Sequence, residues 1–439
     1  MAYNLRVCSQ EPAFPRPRGT KSRWNLVSAV AKGVERNWFG AAMNELQLRA
    51  KKQNLEWLKC NPIFDLSKRT PDLFRELCKK SPELKSAHSV LKTGFYLPQN
   101  AKLDVDSNFL RLPNHLRSFY YRLSPDENPA RWFETDVLCF KGAEPLLPDF
   151  KNYLSWMSKT RIRGSQLPIL DTFPMREGKV AGVVSLQEAQ TEARIASELQ
   201  LAHLKAYGTL AAIPTPLFVY SFAGQDSEKL FKSLKGLMQT RAFQRIEPLR
   251  AQGFAVLVYY FPHLPVRADY FGATERALLR AKLKTLPNVE ETLDGWLRIC
   301  ARMMLMGFLP GTSLSIGLGS CLDFGNATIF GGLCDLDSVF PINSAYNDGF
   351  IYEAIAGNMS ILQISASRLL NVPQDANNAT QWAVQAHLME RLRYFLKADK
   401  RAGKSVPPQV SNFFDPKKRL IEKVFLFQNQ FAHVTTDSY

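Results

Sequence analysis

Asn326 and Asp335 are the side chains in this sequence that best suit a hard cation. They stand nine positions apart, and the β-prone apolar residues between them, with the glycine pair Gly331 and Gly332, predict a short hairpin. Amide and carboxylate oxygens are ligands that Mg²⁺ prefers, and a Mg²⁺ ion held in this way binds nucleotide phosphates. A plain turn that carries Asn and Asp is the alternative, so the surrounding elements have to support the site.

The same chemistry needs a cation on the phosphates and a carboxylate that holds this cation in place. Four basic side chains precede a predicted helix: Arg161, Arg163, Arg176 and Lys179. The helix supplies Glu188 and Glu192, which share a face because they stand one turn apart. Charged side chains near a helix start are more often solvated surface groups, which is the alternative for each of them. The two sets together predict a phosphate clamp beside the metal site.

Strands and helices predicted along the chain would position these side chains. Strands are predicted from apolar runs over 162–170, 180–184, 217–222 and 254–261. Helices are predicted from helical spacing over 186–206, 289–309, 346–371, 377–402 and 416–432. Ser185 is the predicted N-cap of the first of these helices, with Glu188 three residues later. Another helix is predicted within residues 24–58.

This order of elements is that of a bilobal protein-kinase-like fold of the α+β class. Nucleotide would lie between a small lobe of sheet plus helix and a helical lobe. The predicted division is a basic, mostly helical N-terminal region over 1–150, the small lobe over 151–265, and the helical lobe with the metal-binding hairpin over 266–439. Element order is an analogy at the level of the fold, so the residues of the site have to carry the function.

Short segments between about residues 160 and 340 resemble the selenoprotein O family. The run from Asn326 to Asp335, Asn-Ala-Thr-Ile-Phe-Gly-Gly-Leu-Cys-Asp, is similar to that family's Asn-Met-Ser-Ile-Leu-Gly-Leu-Thr-Ile-Asp, with equal spacing. Arg163-Gly-Ser stands where the family has Lys-Gly-Ala, and the turn that begins at Arg176, Arg-Glu-Gly-Lys, resembles its Arg-Gly-Asp-Gly-Arg turn. Ser185-Leu-Gln-Glu is similar to the start of the family's helix.

The resemblance implies a protein-kinase-like fold that binds ATP in an inverted orientation and transfers AMP to protein hydroxyl groups. It implies that Arg163 and Glu192 form the cation–carboxylate pair and that Asn326 and Asp335 hold Mg²⁺. The expected contacts to the nucleotide are Arg161, Arg163, Arg176 and Lys179.

Two departures from the family's pattern concern the reacting groups. Arg163 replaces the family's lysine, which keeps the charge but changes the shape of the donor. The family's candidate base is an Asp directly before the Asn; Gly325 occupies that position here, and Asp323 is the nearest carboxylate. The sequence therefore leaves four outcomes open: AMP transfer, phosphoryl transfer, transfer from another phosphorylated donor, and nucleotide binding without catalysis. The predicted acceptor is a hydroxyl of a protein or a small molecule.

The balance of charge favours an acidic partner. The 439-residue chain has a formal net charge of +16, and residues 1–60 hold eleven Lys and Arg against four Glu. Basic surfaces of this kind attract nucleic acid, anionic membrane surfaces or phosphorylated ligands. A non-catalytic basic protein that binds nucleotide or nucleic acid is therefore the alternative function.

Cysteine usage bears on the compartment. The seven Cys are scattered without a Cys-x-x-Cys pair, which favours the cytoplasm or another reducing intracellular compartment and predicts no zinc site. No apolar run approaches the roughly twenty residues that a membrane-spanning helix needs. The basic, polar first residues do not resemble a secretory signal, while a translocated effector remains open.

Overall fold

A computed structural model of the chain describes residues 55–98, 120–122, 136–146, 175–176, 179–180, 183–235, 247–263, 265–268, 276–277, 280–281, 286–311, 320–322, 324–343, 346–373, 378–400 and 406–415. The described part mixes helices with antiparallel strands, which confirms the predicted α+β class. Among the described helices, none combines the length and the apolar content that spanning a bilayer requires.

The strands and helices follow one another along the whole described part of the chain. The strands are β1 (Leu55–Lys59), β2 (Pro62–Asp65), β3 (Gly94–Pro98), β4 (Tyr120–Arg122), β5 (Val137–Lys141), β6 (Met175–Arg176), β7 (Lys179–Val180), β8 (Thr215–Phe222), β9 (Phe254–Phe261), β10 (Phe308–Leu309) and β11 (Phe340–Pro341). The helices are α1 (Leu66–Arg69), α2 (Pro71–Lys80), α3 (Glu83–Leu91), α4 (Leu186–Tyr207), α5 (Gln225–Lys235), α6 (Glu247–Gln252), α7 (Val289–Leu305), α8 (Asp348–Leu369), α9 (Asn378–Ala398) and α10 (Pro408–Phe414).

Five strands form the main sheet, which is antiparallel with the order β2-β8-β9-β5-β4. β9 lies at its centre, and every residue of this apolar strand is buried. In the pairing of β5 with β9, Lys141 lies opposite Leu257 and Cys139 lies opposite Tyr259. Residues opposite one another in a sheet share a face, and so do residues two apart on one strand. Lys141 and Tyr259 therefore lie on the same face of the main sheet.

Helices cover both faces of the main sheet. α4 packs on the face of Lys141 through Ala189, Ala193 and Ala196, which are fully buried and small enough to let the helix come close. α2 and α3 cover the opposite face, where the fully buried Leu77 of α2 packs into a core that includes side chains of β8 and β9. The sheet is therefore the middle layer of three.

α4 begins and ends where its sequence predicts. Ser185 and Glu188 form a capping box: the Glu188 N–H donates to Ser185 Oγ at 3.1 Å, and the Ser185 N–H donates to Glu188 Oε2 at 3.0 Å. Gly208 ends the helix with a φ of 68°, a left-handed conformation that glycine adopts without strain. The predicted helix over 186–206 is confirmed, because the observed helix runs from Leu186 to Tyr207.

Arg302 of α7 joins the C-terminal end of α4 to the helices that follow, and we call these contacts the Arg302 anchor. Its Nη1 donates to His203 Nε2 at 3.1 Å, and its guanidinium lies 4.3 Å from the ring centre of Tyr207. Its Nε donates to Asp399 Oδ2 at 2.7 Å, just beyond the end of α9. Burial lowers the pKa of His203 to about 4, so the neutral imidazole accepts from Arg302 while its Nδ1–H donates to Thr209 O at 2.7 Å.

Other predicted elements agree in type but differ in extent. β8 and β9 match the predicted strands over 217–222 and 254–261 closely. The turn predicted around residues 176–179 falls between β6 and β7. Of the predicted strand over 180–184, Val180 belongs to β7, Val183 and Val184 lie in no strand, and the two residues between lie outside the described ones. α7 ends at Leu305, because Gly307 takes a φ of 83° and the following pair of residues forms β10. The strand predicted over 162–170 and the helix predicted over 416–432 lie outside the described residues.

The N-terminal region departs most from its prediction. Residues 55–59 form a strand rather than the end of a helix, since β1 pairs with β3. β2, β4 and β5 precede residue 150, yet they hydrogen-bond into one sheet with β8 and β9. The predicted boundary at residue 150 therefore does not separate the sheet from the N-terminal region. Short strands of this kind gain their stability from pairing with distant strands, which local sequence patterns do not report.

Candidate functional site

A lysine held between two carboxylates is the centre of the candidate site. The Lys141 amino group donates to Glu192 Oε1 at 3.0 Å, to Glu192 Oε2 at 2.8 Å and to Asp335 Oδ1 at 2.7 Å. The Glu192 side chain is 2% exposed, whereas Asp335 and Lys141 keep 17% and 25% of their side-chain surface. The three residues are far apart in sequence, so only the fold brings them together.

The main sheet and α4 place Lys141 and Glu192 against one another. Lys141 is the last residue of β5, next to the fully buried β9. Glu192 stands three residues after Ala189 and four before Ala196, so it shares the face of α4 that packs on the sheet. The small alanine side chains bring this face close to β8 and β9, and the long Lys141 and Glu192 side chains meet in the space between β5 and α4.

The predicted hairpin forms, and it positions Asn326 and Asp335. Ala327 and Leu333 pair as an antiparallel bridge, and the Cys334 N–H donates to the Asn326 carbonyl at 2.8 Å. Asn326 thus lies across from the residue directly before Asp335. The Asn326 amide nitrogen donates to the Ser320 carbonyl at 3.4 Å, which leaves its Oδ1 as the atom that could ligate a cation.

The hairpin is fixed to α7. Trp296 Nε1 donates to the Thr328 carbonyl at 2.9 Å, and Thr292 Oγ1 donates to the Ile329 carbonyl at 3.1 Å. At Gly295 the helix touches the turn of the hairpin: a Cβ there would stand 2.6 Å from the Gly331 carbonyl oxygen. Glycine at position 295 therefore allows a backbone-to-backbone contact that sets the position of the whole hairpin, Asp335 included.

Charge determines the protonation of the central lysine and glutamate. Burial lowers the pKa of Lys141, but Asp335 and Glu192 outweigh burial and hold that pKa well above its ordinary value. Burial raises the pKa of Glu192, the Lys141 ammonium opposes this rise, and Asp335 and Asp337 add to it. Lys141 therefore keeps its charge at neutral pH, and this charge compensates the buried Glu192 carboxylate.

The donor set beside Lys141 suits a hard divalent cation. The Asp337 N–H donates to Asp335 Oδ1 at 3.4 Å, which brings a second, exposed carboxylate next to the first. Glu192, Asp335 and Asp337 carry three formal negative charges and Lys141 carries one positive charge, so the cluster has a net formal charge of −2. In the described part of the chain no group of three or more His, Cys, Asp or Glu side chains could hold a metal ion alone. Mg²⁺ commonly binds to only one or two carboxylates plus substrate phosphates, so the residues present fit this ion.

Part of the predicted site is assembled here. Glu192 and Asp335 meet at Lys141, and Asn326 is held across the hairpin from Cys334, the residue directly before Asp335. Arg176 and Lys179 lie opposite one another in the backbone pairing of β6 with β7. Three further predicted residues lie outside the described residues: Arg161, Arg163 and Asp323.

The structure adds to the site a cation that the sequence did not predict. Among the described residues, Lys141 pairs with Glu192 and donates to both of its oxygens, while the predicted partner, Arg163, lies outside the described residues. The sequence signal for this lysine is the run Val137-Leu-Cys-Phe-Lys, an apolar strand that ends on lysine, as in the Val-Ala-Ile-Lys strand of kinases. The run is only five residues long and stands 51 positions before Glu192, so spacing along the chain does not connect them.

No family model matches this chain, and no curated protein is significantly similar to it. The function is therefore argued from the geometry of Lys141, Glu192, Asp335 and the hairpin.

Proposed function

We propose that this protein is an ATP- and Mg²⁺-dependent transferase of the protein-kinase-like superfamily, which moves AMP or a phosphoryl group to a hydroxyl group of its acceptor. The observation that carries the proposal is the Lys141 amino group, 2.8 Å from Glu192 Oε2 and 2.7 Å from Asp335 Oδ1. Kinase-like transfer uses a strand lysine on the phosphates, a helix glutamate that orients this lysine, and an aspartate that binds the metal. Lys141, Glu192 and Asp335 offer these three groups at one place.

The arrangement of elements supports the bilobal, kinase-like part of the proposal. β5 carries the lysine beside β9, and α4, which follows β5 and precedes β8, carries the glutamate. Shortly after β9, residues 266–268 pair with the hairpin: the Ala268 N–H donates to the Ala327 carbonyl at 2.8 Å, and the Ile329 N–H donates to the Val266 carbonyl at 3.0 Å. A nucleotide between the sheet and the helical part would reach Lys141 from one side and Asp335 from the other.

The residues of the site would have two roles, which are to hold the metal ion and to bind the phosphates. Asn326 and Asp335 would hold Mg²⁺, with Asp337 as the neighbouring carboxylate, and the bound ion would supply charge neutralisation on the phosphates. Lys141 would bind a phosphate oxygen. Glu192 would keep the lysine in place, so that its positive charge is directed at the phosphates before the reaction begins.

The choice between AMP and phosphoryl transfer depends on which phosphate of ATP is attacked. The likeness of the Asn326–Asp335 run to the selenoprotein O family supports AMP transfer. The cluster around Lys141 serves either transfer, because a lysine contacts phosphates in both orientations of the nucleotide.

Labelled ATP tests the proposal. The full chain would be incubated with Mg²⁺ and ATP labelled at either the α- or the γ-phosphate, and label would be read on the protein itself and on a mixed protein extract. Label from the α-phosphate alone supports AMP transfer, and label from the γ-phosphate alone supports phosphoryl transfer. Absence of label from both, with a melting temperature unchanged by Mg·ATP, would reject the proposal in favour of a non-catalytic basic binding protein.

A pair of variants controls this experiment. Asp335→Asn removes a charge at nearly constant shape and is expected to abolish labelling. Asp72→Asn makes the same change in an exposed carboxylate that pairs with Arg75 one turn away, and it is expected to label like the wild type. Retained labelling in Asp335→Asn would contradict the metal assignment.

A further inference from the structure

Tyr259 is a buried residue of the site region that the proposed chemistry does not use. It lies on β9 opposite Cys139, while Lys141 lies opposite Leu257. Tyr259 is thus the diagonal neighbour of Lys141 on the same face of adjacent strands, an arrangement in which long and aromatic side chains reach one another. α4 packs on this face through the residues that flank Glu192.

The hydroxyl of Tyr259 is an O–H group without an ordinary partner. The residue is 1% exposed, and its Oη forms no hydrogen bond of ordinary length and angle with any residue that the structure describes. Burial raises the pKa of Tyr259 well above its ordinary value, and the charge of the Glu192 carboxylate raises it further. An unpaired buried hydroxyl is energetically unfavourable, so the Tyr259 hydroxyl is expected to donate to an acceptor that lies close to it.

We propose that Tyr259 is a positioning residue: its hydroxyl donates to the Glu192 carboxylate and keeps that carboxylate turned toward Lys141. Glu192 has room for this third donor, because an ionised carboxylate accepts about four hydrogen bonds and Lys141 supplies two. A donor on β9 and a donor on β5 then hold the glutamate from two strands of one sheet. The effect of the bond on nucleotide affinity rests on the proposed function, whereas the bond itself does not.

Tyr260 is the matched control within the same strand. It follows Tyr259 directly, so it points to the opposite face of the sheet, where it belongs to the core under α2 and α3. Burial raises the pKa of Tyr260, and its hydroxyl is paired with Asp136 rather than with Glu192. Tyr260→Phe therefore removes the same group from the same strand without touching the site.

Vibrational spectroscopy of the ligand-free full chain tests the bond. The tyrosine Raman doublet distinguishes a phenol that donates to an anion from a phenol that is not hydrogen-bonded. The spectrum of the wild type minus that of Tyr259→Phe isolates Tyr259, and we expect the donor signature. The difference spectrum between the wild type and Glu192→Gln should show a change in the same band. This second difference spectrum tests the bond even if Tyr259→Phe does not fold. A signature of a free phenol, or one indifferent to Glu192→Gln, would overturn the proposal.

Mg·ATP affinity tests the positioning role. Tyr259→Phe is expected to weaken Mg·ATP binding by roughly tenfold, the loss of one charge-assisted hydrogen bond, while Tyr260→Phe binds like the wild type. Equal affinity in Tyr259→Phe and the wild type would overturn the role. If the wild type itself binds no Mg·ATP, the proposed function fails, and the Raman result together with a double-mutant cycle of melting temperatures for Tyr259→Phe and Glu192→Gln still decides whether the bond exists.

Discussion

The Lys141 side chain interacts with two carboxylates: it compensates the charge of the buried Glu192, and it pairs with the partly exposed Asp335. Glu192 is almost inaccessible, and both of its oxygens accept from Lys141. An ion pair of this kind contributes little net stability, since burying both charges costs about as much as their attraction returns. Removing one partner is costly all the same, because it leaves the other charge buried and uncompensated.

Lys141→Met should therefore lower the free energy of unfolding by about 3 kcal/mol at neutral pH, since Met fills a similar volume without the charge. The pKa of Glu192, already raised by burial, should rise further when the lysine is lost. A raised folded-state pKa means that the native protein gains stability as the pH falls toward that pKa, so Lys141→Met should recover part of its loss in mild acid. Denaturant unfolding at neutral and mildly acidic pH measures both effects.

Lys79→Met is the control for this substitution. Lys79 is an exposed lysine whose partner, Glu76, lies one turn away on α2, so its removal should change stability by less than about 0.5 kcal/mol at either pH. A Lys141→Met protein as stable as this control would show that Glu192 does not depend on Lys141.

Side-chain chemistry and spacing predicted part of the site from sequence. Asn326 and Asp335 follow from their hard oxygen atoms and from the hairpin between them, and Glu192 follows from its position on a well-capped helix. Lys141 could not be predicted in the same way, because its link to Glu192 depends on how β5 pairs with β9. Pairing between distant strands is a tertiary property that no local window of sequence contains.

Among the elements, the hairpin and α7 form a unit whose geometry is set at Gly295. Trp296 and Thr292 bond to the hairpin on either side of this glycine, and the helix backbone touches Gly331. The position of Asp335 thus depends on packing at a residue that carries no functional group.

Gly295→Ala should move the hairpin while leaving every charged group of the site intact. The new Cβ would meet the Gly331 backbone at 2.6 Å, so helix and hairpin must separate. We expect a loss of about 2 kcal/mol in the free energy of unfolding, since crowding outweighs the better helix propensity of alanine. Binding of Mg·ATP should weaken as well, which thermal shift titration measures.

Gly349→Ala provides the comparison for this prediction. Gly349 lies in the first turn of α8, where a Cβ would meet, among the described residues, the exposed side-chain oxygen Oδ1 of Asn347 at 3.3 Å. Stability there should be unchanged or slightly higher, and Mg·ATP binding should match the wild type. Wild-type behaviour of Gly295→Ala would show that the hairpin does not rely on close contact with α7.

Elements with strong local signals were predictable, and elements defined by pairing were not. The capping box of α4 and the continuous apolar run of β9 specify their own conformations. β2 and β5 are four and five residues long and have no such signal, so the sequence suggested an irregular helical region where the sheet has its strands. Because these short strands could not be recognised from the sequence, a domain boundary was predicted at residue 150.

For the whole molecule, the main sheet is shared by two cores. One core lies between the sheet, α4 and the helices from α7 onward, and the other lies between the sheet, α2 and α3. β8 and β9 contribute side chains to both, so loss of either core exposes the same strands. We therefore expect the described part of the chain to unfold as one cooperative unit.

Leu77→Ala tests this cooperativity. Leu77 is fully buried under the main sheet, and its truncation should cost about 3 kcal/mol. In one cooperative unit, the single melting transition moves to lower temperature as a whole, and Mg·ATP still raises it. Calorimetry would show a separate N-terminal transition if α2 and α3 formed an independent domain. Ile63→Ala, at an exposed position of β2, should leave the transition almost unmoved.

The Arg302 anchor restricts how α4 can move. His203 and Tyr207 are tied to α7 and α9, while Glu192 lies eleven positions nearer the start of α4. At 1.5 Å per residue the carboxylate stands about 16 Å from this joint, so a tilt of about 10° displaces it by about 3 Å. A displacement of this size would lengthen the 2.8 Å hydrogen bond between Glu192 and Lys141 beyond hydrogen-bonding distance. A tilt of α4 about the Arg302 anchor would therefore separate the ion pair that lies nearer the start of the helix.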